Sequence, residues 1–130
     1  MFSFSQIGAL LAGGITGTLL RYILAGYFYK SFTGVFPWGT LAVNLCGCLA
    51  IGLLWGALNG EQLSQEMKNL VFIGLLGAFT TYSAYALDTL QLFRIGQWKL
   101  ATLNVLLSNM GGIGLAALGF FTGRFFHSRF

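Results

Sequence analysis

The sequence predicts an all-α membrane protein of four transmembrane helices, the third broken near its centre, paired as an antiparallel dual-topology dimer. Three observations lead there. Of 130 residues, 56% are hydrophobic and 8% charged, and the mean hydropathy is +0.77, outside the range of soluble globular domains. A soluble domain of this length buries roughly 70% of its unfolded surface, so lipid has to cover the remaining apolar side chains. Four apolar stretches each reach the ~20 residues that a bilayer crossing needs. Finally, basic residues divide evenly between the two sides of such a bundle.

The expected spans are about 4–29, 37–58, 67–92 and 98–126. Residues 30–37 (KSFTGVFP), 59–68 (NGEQLSQEMK) and 94–99 (RIGQWK) separate them, each carrying the Gly, Pro or charge that marks an exit from the membrane. These connections are short, which predicts a single transmembrane domain over 1–130 whose work is done inside the membrane. The first apolar stretch lacks a basic leader and is followed by three like it, so it reads as a spanning helix rather than a cleaved signal.

Span one contains GGITGTLLRY, with Gly13 and Gly17 at the four-residue spacing that lets helix backbones approach closely in lipid. Arg21 near its end either attracts anions at a vestibule or snorkels to the interface, a structural or electrostatic role rather than direct ion contact. In span two, Thr40 and Asn44 are four apart and share a face, followed by Gly47. The Asn44 amide is a donor either to a passing ion or to a neighbouring helix. Cys46 and Cys48 have no histidine or carboxylate neighbours, so they read as small packing residues rather than metal ligands. Gly52 and Gly56 repeat the close-packing spacing.

Span three is the most informative. GLLGAFTTYSAYALD places Gly77, Thr80, Thr81 and Ser83 where an ordinary spanning helix would be aliphatic. Such a stretch breaks a helix, and broken backbone at membrane depth survives only where protein or a polar cavity satisfies it. Free carbonyls of that kind also coordinate small hard cations such as sodium. Tyr82 and Tyr85 are neighbours on one face if the helix resumes there. Aromatic edges with Ser, Thr and Asn donors are the groups an anion wants. Asp88 lies toward the end of the span, where it pairs with Arg94, meets water or couples to protons. In span four, Asn104 and Ser108 share a face that continues into Gly111 and Gly112, and Gly112 with Ala116 and Gly119 with Gly123 extend the small-residue seam.

Four spans put both termini and the second loop on one side, with Lys68, Arg124 and Arg129; the other side carries Lys30, Arg94 and Lys99. Orientation normally follows an excess of Lys and Arg on the cytoplasmic side. With none, copies inserted both ways up and paired antiparallel are expected. The net charge of +4 is scattered, with no basic cluster of the kind nucleic acid needs. His127 sits alone in the tail. No nucleophile with its base, metal constellation or phosphate loop can be assembled, so an enzyme is not expected.

Over nearly its whole length the sequence resembles the Fluc, or CrcB-type, fluoride channel family. The likeness lies in GGITGTLLRY, in GTLAVNLCGCLAIG around Asn44, and in GLLGAFTTYSAYALD, with the paired threonines and serine of that motif in register. NVLLSNMGG around Ser108 matches more loosely. The resemblance implies an antiparallel homodimer with two fluoride pores in a bacterial inner membrane, serving fluoride resistance. It also implies a structural sodium ion held by the Gly77 and Thr80 carbonyls of both copies. Asn44, Ser108, Tyr82 and Tyr85 would line the pore, joined by Thr40, Thr81 and Ser83 on the same ion path, with Arg21 at the entrance. Both family pore phenylalanines are tyrosines here, and a second fourth-helix hydroxyl position is Gly112. A tyrosine keeps the aromatic edge and adds a hydroxyl that either donates to an anion or blocks its path. Two other functions compete: a proton-coupled small transporter relying on Asp88, and a non-conducting partner subunit of a heterodimeric channel.

Overall fold

The computed structural model describes residues 3–129. Its four long helices, α1 (Phe4–Ser31), α2 (Trp38–Ala57), α3 (Gln65–Arg94) and α4 (Trp98–His127), are each long and apolar enough to cross a membrane, and the chain is a multi-pass membrane protein. Local chemistry fixes where they start. Ser3 and Gln6 form a reciprocal capping box that opens α1, and the Ser64 hydroxyl accepts the Met67 N–H at 3.3 Å, which starts α3 ahead of the expected residue 67. The connections turn at Gly34 and Gly96, with φ of 119° and 75°, values that favour glycine.

α2 is the hub. A third (33%) of its most apolar stretch is buried, against 11% for each of the other helices. It packs mainly on the second half of α4, while α1 packs on the first half of α3. The small residues explain how closely. A methyl built on Gly52 or Gly56 would strike the carbonyls of Ala116 or Phe120, and one built on Gly119 or Gly123 would strike those of Leu49 or Leu53. The α2–α4 seam is therefore reciprocal, each helix's glycines receiving the other's backbone. Gly13 and Gly17 take the Leu70 and Leu75 carbonyls of α3 in the same way. In lipid, where apolar burial drives little association, such van der Waals contact is what holds helices together.

The outer surface is apolar. α1 buries only Gly13 and Gly17, leaving Leu11, Ile15, Tyr22 and Ile23 at least 60% exposed, and Met110, Ile113 and Phe121 of α4 are at least 70% exposed. Hydrocarbon or another apolar protein surface has to meet them.

α3 and α4 are not uniform. Lys68–Leu76 and Leu107–Gly111 carry wide π-type turns, a form that concentrates at functional sites. Between Gly77–Phe79 and Tyr82–Arg94 the chain is extended at Thr80 (φ −87°, ψ 158°) and Thr81 (φ −149°, ψ 110°).

Overpacking the seam tests its role. Gly119→Leu is expected to push α4 off the Leu49 carbonyl and destabilise the bundle by about 1–3 kcal/mol, read as a lower midpoint in detergent unfolding, whereas Gly114→Leu, with open space around it, leaves the midpoint in place.

Candidate functional site

The two extended residues create an accounting problem for the backbone. In a continuous helix the Thr81 N–H would return to the Gly77 carbonyl and the Ala84 N–H to the Thr80 carbonyl. Here the Thr81 N–H donates to Asn44 Oδ1 at 2.7 Å, and the Ala84 N–H donates to Thr81 Oγ1 at 3.2 Å, capping the segment that follows. The Gly77 and Thr80 carbonyls thereby lose their helical donors. Asn44 also donates from Nδ2 to the Thr81 carbonyl at 3.0 Å. Its amide orientation is fixed by chemistry, since a backbone N–H only donates and a carbonyl only accepts. One side chain of α2 thus pairs both backbone groups of Thr81, with one amide hydrogen left over. Gly47, a turn later, lies under the Thr80 methyl, where a Cβ would collide with it.

Beside this clamp is a cavity of about 290 Å³, lined among others by Asn44, Thr80, Thr81, Tyr82, Tyr85, Ser108 and Asn109. No carboxylate, lysine, arginine or histidine lines it. The two tyrosine rings lie 5.3 Å apart at 57°, yet their surroundings differ: Tyr82 is 76% exposed and Tyr85 9%. The Tyr85 hydroxyl accepts from Asn109 Nδ2 at 3.0 Å. Behind it runs a chain of hydrogen bonds that ties α3 to α4. Asn104, 1% exposed, donates to Thr89 Oγ1 at 2.9 Å, and Thr89 donates to the Tyr85 carbonyl at 2.8 Å. Ser108 is only loosely committed, 3.5 Å from Asn104 Oδ1.

A second cavity, about 550 Å³, lies on the other side of Thr81 and is lined by Arg21, Tyr22, Tyr29, Thr40 and Thr81 among others. Thr81 is therefore a wall of both. Thr40 does not join Asn44 at the first cavity as the shared-face reading expects: its hydroxyl meets Tyr29 Oη at 2.9 Å, because the crossing of α1 over the start of α2 draws it there. Ser83 is likewise outside the first cavity, bonded to Thr81 Oγ1 at 3.2 Å on an exposed side of the restarted helix. Asp88 lines a third cavity with Arg94 and Gln91, its Oδ2 buried without a hydrogen-bond partner among the described residues. Cys48 packs beside Gly112, and no group of His, Cys, Asp or Glu that could hold a metal occurs among the described residues. His127 closes the end of α2, its Nδ1 3.0 Å from the Ala57 carbonyl.

Residues 8–120 match the family model described as CrcB-like protein, Camphor Resistance (CrcB). The chain belongs to the CrcB family. Relatives of this CrcB chain include proteins named fluoride-specific ion channel FluC. One from Desulforapulum autotrophicum is 43% identical, covering 88% of this chain and 91% of the relative. One from Magnetococcus marinus is 42% identical, covering 92% and 98%, and one from Parabacteroides distasonis is 39% identical, covering 92% and 93%.

Two residues of the CrcB chain that sequence reasoning passed over, Asn109 and Thr89, hold the site together with Asn104. Asn104 had been placed on a donor face, but its complete burial makes it a strut. Asn109 stands on the π-type stretch, where helical faces read at 3.6 residues per turn no longer apply; the signal available was simply an amide at membrane depth.

Asn44→Ala should orphan both backbone groups of Thr81, costing about 1–3 kcal/mol for each buried group left unpaired, and amide exchange measured by mass spectrometry should rise across residues 79–84 more than elsewhere in α3.

Proposed function

We propose that the chain is a subunit of a fluoride channel that lets the ion leave passively down its electrochemical gradient and so lowers cytoplasmic fluoride. The lining of the smaller cavity carries this reading: amide and hydroxyl donors with aromatic edges, and no carboxylate or basic side chain. Fluoride is a small, strongly hydrated anion, so a pore has to replace its water with close donors, as selectivity filters do. The spare Asn44 hydrogen, the Ser108 and Thr81 hydroxyls and the Tyr82 and Tyr85 rings are suited to that. Arg21 supplies positive potential at the second cavity, from which Thr81 leads to the first. The relatives named as fluoride-specific channels agree with it. A proton-coupled transporter needs a carboxylate on the path, and Asp88 lines a different cavity. A non-conducting partner of fixed orientation needs a charge bias that the sequence lacks.

The reading includes an antiparallel homodimer in a cell inner membrane. Even basic charge on the two sides supports dual insertion, the uncovered apolar faces support a partner, and a helical bundle suits an inner rather than a barrel-bearing outer membrane. Sodium fits the Gly77 and Thr80 carbonyls: both have lost their helical donors, Gly77 is exposed, and hard cations prefer such oxygens. When bound, the ion would supply a fixed positive charge where the subunits meet.

Purified protein in liposomes loaded with potassium fluoride, opened by a potassium ionophore, should release fluoride rapidly and without a proton gradient, while chloride-loaded vesicles stay closed. Silence from folded dimer, or release only with a proton gradient, would sink the channel. Sodium, unlike potassium, should raise the unfolding temperature of the dimer in proportion to the logarithm of its concentration; equal effects of the two salts would remove sodium from the reading.

A further inference from the structure

The Tyr85 hydroxyl carries an inference that the aromatic edges alone do not. Asn109 Nδ2 is 2.8 Å from the Val105 carbonyl and 3.0 Å from Tyr85 Oη. A carbonyl only accepts, so the atom facing Val105 has to be the amide nitrogen. That nitrogen has two hydrogens: one goes to Val105 and the other to Tyr85. Both are used, so Asn109 has no hydrogen left for an ion, and the tyrosine oxygen is held as an acceptor. The phenolic proton cannot return to Asn109 Nδ2, and no other acceptor for it occurs among the described residues. Tyr85 is 9% exposed, so neither is it free to turn into bulk solvent. The side chain and its Asn109 partner both line the smaller cavity, which is where the proton has to point.

We infer that Asn109 locks Tyr85 Oη as an acceptor on the protein side, so that its proton forms a fixed O–H donor to a small anion in the cavity and favours fluoride over chloride. The inference rests on the channel reading for what passes, but the donor site can be detected without any flux. An O–H donor to a charged acceptor makes a short, strong bond. The strength grows with the acceptor's basicity and compactness, so the hydroxyl separates fluoride from the larger chloride where an aromatic edge separates them weakly. Asn109 acts as a positioning residue and Tyr85 as the ion contact. Tyr82, with its ring in the same cavity and 76% exposed, has no such lock on its hydroxyl.

The test has a binding arm and a flux arm. The dimer labelled with ¹³Cζ-tyrosine is titrated with sodium fluoride and, separately, sodium chloride, and the Tyr85 resonance is assigned by its loss in Tyr85→Phe. A fluoride-dependent, chloride-insensitive shift of that resonance is expected; an indifferent resonance overturns the inference and leaves the channel untouched. In liposomes, Tyr85→Phe should lower the fluoride-over-chloride efflux ratio about tenfold or more, the scale of one hydrogen bond to a charged group. Asn109→Leu, similar in volume, should lower it comparably when Tyr85 is present and have no further effect in the Tyr85→Phe background. Equal effects of Asn109→Leu in both backgrounds would show a merely structural role and overturn the lock. If Asn109→Leu fails to fold, the titration of the parent and the isosteric Tyr85→Phe still decide the matter. A fluoride-sensitive Tyr85 in a protein that passes no fluoride would keep the donor site and refute the channel.

Discussion

The two-point clamp between Asn44 and the backbone of Thr81 is the constraint on which the rest of the site depends. Inside a bilayer an unpaired N–H or carbonyl costs several kcal/mol, so two extended residues at the middle of a spanning segment need partners from elsewhere. Asn44 provides both from a single side chain. The Thr81 and Ala84 N–H groups are taken up by Asn44 Oδ1 and Thr81 Oγ1, while the Gly77 and Thr80 carbonyls receive no other donor among the described residues. The interruption therefore leaves both kinds of group open: acceptor capacity at Gly77 and Thr80, which a cation or a donor from another chain can satisfy, and donor capacity at the Tyr82 and Ser83 N–H groups that begin the restarted helix. The same clamp leaves one Asn44 amide hydrogen over, a further donor.

The clamp works only because the helices stand close. Glycines 52, 56, 119 and 123 interlock α2 with α4, and Gly47 admits the Thr80 methyl directly against α2. With a larger residue at Gly47 the extended residues would be held away from α2, beyond the short reach of an asparagine. The small residues that make the bundle thus also set the reach of its one amide clamp. A hydroxyl in place of Asn44 could serve either group of Thr81 but offers no rigid pair of donor and acceptor.

Much of this was legible from residues alone. Four spans followed from apolar length, and the polar, glycine-bearing run at Gly77, Thr80 and Thr81 stood out because lipid penalises it. Asn44 was recognisable for the same reason. The structure adds that its first duty is to the backbone of Thr81, a pairing 37 residues distant in sequence that no local pattern encodes. Thr40 was grouped with Asn44 by helical spacing, but spacing gives a face and not the neighbour that fills it; Tyr29 does. Asn109 escaped because Leu107–Gly111 is wound as π-type turns, so the periodicity used to sort faces did not apply where the site's own residues stand. The helix starts differed from expectation by a turn or less, since Ser64 caps α3 from within a stretch read as loop.

The exposure of Tyr82 bears on how much of the site one chain contains. Tyr82 and Tyr85 are the same side chain one turn apart in contact with each other, yet one is buried and its hydroxyl bonded while the other is 76% open. A cavity lined by Asn44, Thr81, Ser108 and both tyrosines cannot end against hydrocarbon on the Tyr82 side, because its amide and hydroxyl groups would lose their partners there. Beside those groups the lining also carries Ile51, Phe72 and Leu76, and a protein surface as the neighbour there accords with the homodimer proposed above. One with its own Tyr82 and its own Gly77 carbonyl to cover would present the same unmet requirement in return, which is the condition for a self-complementary contact between two copies. In the proposed dimer the single chain holds one wall of the path, with Thr81 paired by Asn44 and Tyr85 held by Asn109, while its Gly77 and Thr80 carbonyls still await a partner.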